Sequence, residues 1–190
     1  MSSDEILEVL ELKGAILHGH FRLSSGRHSD LFVQKFRVLE DPATARSLGE
    51  NLARNFDGDF DVVAAPAVGA IVLGFATALA AEARSIFAER SGDAMVFRRG
   101  FSLGPEERVL VVEDVVTTGK STLETVAVAE QAGAVVVAAA SIINRGGGDA
   151  LAVPYVSLAD ARFPTFAADA VPTALRDVPA VKPGSRPGER

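Results

Sequence analysis

The apolar positions of this chain change pattern at Asp61. Before it, Ser2 followed three residues later by Glu5 predicts a capping box, and Ile6, Leu7, Val9 and Leu10 then recur at helical spacing. In GHFRLSSGRHSDLFVQKF, two apolar runs flank a Ser/Gly/Arg/His stretch, which predicts two short strands joined by a polar loop. Asp41 and Pro42 supply an N-cap and a first helical residue. Ala45, Leu48, Leu52 and Phe56 then mark one face of a helix reaching about Asn55.

From Asp61 onward, short apolar runs alternate with longer helical ones. DVVAA predicts a buried strand, Ala70 to Ala83 a helix, and SIFAE and AMVFRR two further strands. RVLVVE is another strand, Ser121 to Ala132 a helix ended by Gly133, and AVVVAAASII a strand again. Strands that are continuously apolar suit a parallel sheet covered on both faces. The expectation is therefore an α/β domain: an open, mainly parallel twisted sheet with helices on both faces. Residues 1–170 are read as one domain. Beyond Ala170, Pro172, Pro179, Pro183, Gly184, Pro187 and Gly188 interrupt any period, so residues 171–190 read as a Pro/Gly-rich tail, mobile over about its last 15 residues.

Composition narrows the function. With 190 residues, 48% apolar and 23% charged, the chain has the make-up of a globular domain with a full core. A formal net charge of -6 argues against a general binder of nucleic acid or anionic membrane, because both require a net basic face. The absence of cysteine excludes disulfides and thiolate metal sites and suits a reducing cytosol. The acidic start MSSDEILEVL has no secretory pattern, so a cytoplasmic location is expected. Val62 to Ala81 is uncharged and reaches the roughly 20 residues of a bilayer span, but Pro66, Gly69 and Gly74 break it. A buried strand followed by a buried helix accounts for it.

The segment VLVVEDVVTTGKST carries the chemistry. In an open parallel sheet, ligands bind beyond the carboxyl ends of the strands. A strand from Arg108 to Val112 ending at Glu113 and Asp114, with a helix starting near Lys120, makes Val115 to Gly119 the turn at that edge. Its backbone N–H groups and the hydroxyls of Thr117, Thr118 and Ser121 are suited to an anion that also meets the positive end of the helix. GKST is not part of a nucleoside-triphosphate loop, because Asp114 stands five residues before Gly119 where that loop needs glycine. Two carboxylates ahead of a phosphate cup point to a ribose 5-phosphate unit.

VLVVEDVVTTGKS resembles the phosphoribosyl-pyrophosphate (PRPP) signature of the type I phosphoribosyltransferases. FRLSSGRHSDLFVQ resembles the F-x-L-x-S-G-x-x-S segment of the orotate branch, part of a small N-terminal hood, here about residues 1–40 against a core of about 41–160. INRGGG resembles the strand end where that branch places an Asp-Arg or similar pair. The chain departs from the best-known members in lacking their K-x-x-K-x-H-G loop, in having Ser24 where a hood lysine stands, and in having no lysine in APAVGAI. Short relatives with an AE(R/K)-x-G…R(R/K)G pattern resemble it most, through FAERSGDAMVFRRG.

The resemblance implies transfer of phosphoribosyl from PRPP to orotate, giving orotidine 5'-phosphate and pyrophosphate in UMP synthesis. It implies that Glu113 and Asp114 hold the ribose hydroxyls and that Val115, Val116, Thr117, Thr118, Gly119, Lys120 and Ser121 hold the 5-phosphate. Arg90, Arg98 and Arg99 become candidates for the pyrophosphate, Arg90 being the one counted with the two acids as catalytic. The turn Ala65 to Gly69 would add N–H donors. Arg145, with Thr117, Ser24 and Phe32, would face orotate, whose carboxylate a guanidinium can clasp. Mg²⁺ is implied, held mainly by PRPP near Glu113 and Asp114, as is a homodimer. His18, His20 and His28 lack metal-ligand spacing with acids. Transfer to a purine or another base, or a non-catalytic PRPP sensor of the same fold, are the alternative readings.

Overall fold

A computed structural model describes residues 1–23, 26–56, 58–161 and 163–183. Helix α1 (Ser3–Leu12) opens on the expected capping box: Ser2 Oγ accepts from Glu5 N–H and the Glu5 carboxylate accepts from Ser2 N–H. Its buried residues Ile6 and Leu10 anchor it beside the far edge of the sheet. Strands β1 (Ile16–Arg22) and β2 (His28–Val33) pair antiparallel as the hood. A short helix α2 (Phe36–Leu39) leads to α3 (Pro42–Ala53), which starts on Asp41 as N-cap with Pro42 in its first turn.

The core alternates β3 (Val62–Pro66), α4 (Ile71–Ala80), the hairpin β4 (Arg84–Ser91) and β5 (Ala94–Phe97), β6 (Arg108–Val116), α5 (Lys120–Gln131), β7 (Val135–Asn144) and β8 (Tyr155–Asp160). The sheet order is β5-β4-β3-β6-β7-β8, and every pairing is parallel except that of β5 with β4. Neighbouring strand residues serve opposite layers, as the two-residue period of a strand requires. Val63, Leu110, Val112, Ala138 and Ala140 pack with Ile6, Leu48, Leu52 and Leu73 of the α1, α3 and α4 layer. Val62, Ala64, Val109, Val111 and Ala139 pack with Val126 and Ala129 of α5. Helices thus cover both faces. The uncharged run from Val62 is β3 plus α4, and no helix among the described residues is long and apolar enough to cross a membrane.

Three expectations change. The strand expected to end at Val112 runs on to Val116, because β7 continues to pair with it as far as Asn144, so Glu113 and Asp114 lie within the strand. Strand β8 was not expected; it is an edge strand whose partly exposed residues give no continuous apolar run. The tail is also not free where it is described. Arg22 N–H donates to Val181 O at 2.8 Å, and Val181 N–H donates to His20 O at 2.8 Å. These bonds form a single parallel β-bridge between Phe21 and Val181 at the edge of the hood, and the one-turn helix α6 (Thr173–Arg176) lies on the way to it. The unpaired edge of β1 offers backbone donors and acceptors that an extended Pro-flanked segment can satisfy without a period of its own.

Candidate active site

Strands β3 and β6 are neighbours and run parallel, so the turns after them open at the same edge. Between these turns lies a cleft of about 450 Å³. One wall is the turn Pro66 to Gly69; the other is Glu113, Asp114 and Val115 with Ser121 at the start of α5. Lys35 and Phe36, at the entry to α2, close it from the hood side.

Both acids are buried, Asp114 at 1% exposure and Glu113 at 8%. Asp114 Oδ1 accepts from Val115 N–H at 2.6 Å. Its Oδ2 lies 2.6 Å from Lys35 Nζ, an ion-pair contact that neutralises the more deeply buried carboxylate. Glu113 has no such partner at hand. Burial, reinforced by the Asp114 charge and only partly opposed by Lys35, pushes its pKa up to about 8, which keeps it protonated at neutral pH.

Gly69 permits this arrangement. A β-carbon there would lie 2.2 Å from Asp114 Oδ2 and 2.3 Å from Lys35 Nζ, so any side chain would displace the ion pair. Lys35 is the functional residue that sequence reasoning missed. Its only local signal is a single cation directly after an apolar strand in FVQKF.

Beyond the acids, Val116 is buried while Thr117 and Thr118 are exposed, and Gly119 turns the chain with φ 75° into α5. The N-cap Gly119 has no side chain to cap that helix, and of its first N–H groups that of Lys120 donates to Thr118 Oγ1 at 3.4 Å. Ser121 lines the cleft, whereas the exposed Lys120 ammonium lies 3.9 Å from Glu124. Of the segment Val115 to Ser121, Val115 and Ser121 line the cleft, and the Val115 N–H is already given to Asp114 Oδ1.

Arg145 ends up beside that segment. Its N–H donates to Val116 O at 2.8 Å, and its guanidinium lies 5.2 Å from the Phe163 ring centroid. The side chain is half-buried, its buried Nε has no hydrogen-bond partner, and burial lowers its pKa from the ordinary arginine value. A desolvated guanidinium with unused donors is a receptor for a carboxylate.

Other expected residues lie elsewhere. Arg90 is ion-paired with Glu124 of α5 and donates to Asp93 O at 3.0 Å. Arg98 and Arg99 both reach Glu89, at 3.7 Å and 2.9 Å. The β4–β5 hairpin packs along α5, so its arginines meet these nearby carboxylates and none of the three lines the cleft. Phe32 stacks in the hood on Phe21 at 5.8 Å and also does not line it. Ser24 lies outside the described residues. His18 faces Glu11 at 3.4 Å; His20 Nε2 and His28 Nδ1 are 2.6 Å apart, and His20 Nδ1 donates to Val178 O at 2.7 Å, so this pair ties the C-terminal segment to the hood.

The donor set suits a hard cation only in part. Among the described residues there is no cluster of three or more His, Asp or Glu able to enclose a metal. Glu113 and Asp114 bring two carboxyl groups to the cleft, Glu113 able to bind a cation once it gives up its proton, which fits Mg²⁺, an ion that keeps most of its ligands from water and bound phosphates.

No protein-family model matches the chain. It is 43% identical over 191 residues to the orotate phosphoribosyltransferase of Erythrobacter litoralis, covering 98% of this chain and 99% of that protein. It is 45% identical over 191 residues to that of Methylobacterium sp., covering 98% and 97%, and 44% identical over 183 residues to that of Thermotoga maritima, covering 95% and 98%. The structure is similar to that of orotate phosphoribosyltransferase from Aeropyrum pernix, with a TM-score of 0.69 and 29% identity over 82% of this chain and 93% of that one. The adenine phosphoribosyltransferase of Thermoanaerobacter pseudethanolicus shares the fold, with a TM-score of 0.65 at 19% identity over 82% of this chain and 99% of that one.

Proposed function

The chain belongs to the orotate phosphoribosyltransferases, and we propose from its site how its own residues divide the work of that reaction. The enzyme transfers the phosphoribosyl group of PRPP to orotate, yielding orotidine 5'-phosphate and pyrophosphate. In our reading the 5-phosphate sits in the cup from Val115 to Ser121, on the uncapped start of α5. Glu113 and Asp114 then face the ribose hydroxyls, and the turn Pro66 to Gly69 faces the pyrophosphate with Lys35 beside it. Arg145 clasps the orotate carboxylate, with Thr117 next to the base.

Orotate nitrogen attacks the anomeric carbon as pyrophosphate departs, through a transition state with positive charge on the sugar. The protein contributes positioning and electrostatics rather than covalent chemistry. Asp114, in contact with Lys35, is the acid placed to favour a cationic sugar, while Lys35 is the cation placed to favour the departing anion. Glu113 and Asp114 are the residues that would help hold Mg²⁺ brought in with PRPP, and the ion would supply charge neutralisation on the pyrophosphate. The observation that carries this reading is the buried Glu113–Asp114 pair, in contact with Lys35 and beside the start of α5 at the same sheet edge.

An orotate-dependent pyrophosphate-release assay tests it. Glu113→Gln is expected to lower kcat/KM by about 100-fold and Thr117→Ala by about tenfold, with folding intact. Wild-type turnover with adenine or hypoxanthine and none with orotate would refute it.

A homodimer in the cytoplasm completes the proposal. Val72, Phe75 and Leu79 form an exposed stripe on α4, at 44%, 59% and 61% exposure. Apolar grooves flank it, one against Pro42 and Ala45 and the other against Phe87 and Phe101. A ridge between two grooves is self-complementary, which is what a two-fold interface requires.

A further inference from the structure

The loop after β7 carries Arg145, and the residue just before it sets the shape of that loop. Asn144 ends β7 and is buried. Its Oδ1 accepts from the N–H groups of Gly146 at 2.9 Å and Gly148 at 3.1 Å, while its Nδ2 donates to Asp160 Oδ1 on β8 at 2.8 Å. One side chain thus ties a glycine-rich loop to the neighbouring strand. A carboxamide meets all three demands, because its oxygen has two lone pairs and its nitrogen two donors. An aspartate would accept the same N–H groups but would set a second carboxylate against Asp160.

The loop so held has little room to move. A β-carbon on Gly147 would lie 2.7 Å from Thr117 O and 2.8 Å from Gly119 N, and one on Gly148 would lie 2.3 Å from the Tyr155 ring. The loop therefore rests directly on the turn of the phosphate cup. Arg145 has little else to aim it, since its buried Nε is unpartnered and its guanidinium is otherwise seated over Phe163. The direction of the guanidinium follows from the backbone that Asn144 shapes.

We infer that Asn144 is a positioning residue for orotate: through the N–H groups of Gly146 and Gly148 it holds Arg145 at the base edge of the site, in register with Thr117. This rests on the assignment of Arg145 to orotate. The chemistry predicts a larger effect on orotate than on PRPP: Asn144 pairs with Val116 of β6, but its side chain bonds only to Gly146, Gly148 and Asp160 and not to Glu113, Asp114 or Ser121.

The test compares Asn144→Ala, Asn144→Asp, Asp160→Asn and the double variant Asn144→Asp/Asp160→Asn in the full chain. Steady-state kinetics are measured with each substrate varied, and amide exchange is followed at Gly146 and Gly148. Asn144→Ala is expected to raise KM for orotate about tenfold, the effect of one or two lost hydrogen bonds, and to leave KM for PRPP within about twofold. Both glycine amides exchange faster. Asn144→Asp is impaired as well, and the double variant recovers, because carboxamide and carboxylate then trade places. Four results would overturn the inference: an unchanged orotate KM in Asn144→Ala, a rise in both KM values in step with lost stability, unchanged glycine exchange, or a double variant no better than Asn144→Asp. Arg145→Ala run alongside separates the two levels. An unchanged orotate KM there removes the assignment of Arg145 itself, whereas a raised one beside a normal Asn144→Ala removes only the present inference.

Discussion

Gly69 and Asp114 approach so closely that a β-carbon on Gly69 would lie 2.2 Å from the Asp114 Oδ2 atom. The same oxygen is in contact with Lys35, so three segments distant in sequence meet at one atom. Gly69→Ala is expected to separate Lys35 from Asp114 and to lower kcat/KM for PRPP by at least about tenfold. Because the displaced pair leaves Asp114 buried without its cation, Tm is expected to fall as well. Normal kinetics in this variant would show that the ion pair is not needed.

Lys35→Met leaves a carboxylate at 1% exposure without its cation. Removing one partner of a buried pair costs about 3–5 kcal/mol, reduced here because Lys35 itself is one-third exposed. Loss of activity should therefore come with a lowered Tm. Lys35→Arg, which keeps the charge, is expected to recover most of the stability but not all of the rate, and both are read by calorimetry and steady-state assays.

The raised pKa of Glu113 makes stability depend on pH in a definite direction. The folded carboxyl keeps a proton that the unfolded chain releases near its ordinary value of 4.5, so the folded state gains from acid. That advantage is complete below about 4.5 and is lost as pH rises to about 8. In the ligand-free protein, Tm should fall relative to Glu113→Gln across this window and run parallel to it above. A difference between the two proteins that does not change with pH would disprove the assignment.

Gly49 lets α3 and α4 touch. A β-carbon there would lie 2.5 Å from the Ala76 carbonyl carbon, so the backbones must part to admit Gly49→Ala. Helix propensity favours alanine by about 1 kcal/mol, and overpacking costs about 1–3 kcal/mol. The net effect is expected to be destabilising in urea titration, with the fold retained.

Phe75→Asp puts a charge in the middle of the apolar stripe on α4, where the side chain is 59% exposed. Sedimentation is expected to report a dimer for the wild-type protein and a monomer for this variant. An unchanged dimer would move the interface elsewhere on the surface.

Local order in the chain was enough for the layered α/β architecture and for the strand, turn and helix order around Glu113 to Ser121. Continuous apolar runs such as RVLVV can only be covered on both faces, and Glu113 to Ser121 are contiguous, so their strand-to-turn-to-helix order survives without knowledge of the rest. Even there the limit of the strand was misjudged, because it is the length of β7 that carries β6 on to Val116. What only the tertiary structure decided is which distant groups meet. The ion pair of Lys35 with Asp114, the capture of Arg90 by Glu124 and of Arg98 and Arg99 by Glu89, and the docking of Val181 on β1 all depend on how the elements are placed. A charge or an open strand edge takes the nearest partner in space, and a one-dimensional pattern carries no distance between segments that fold back on each other.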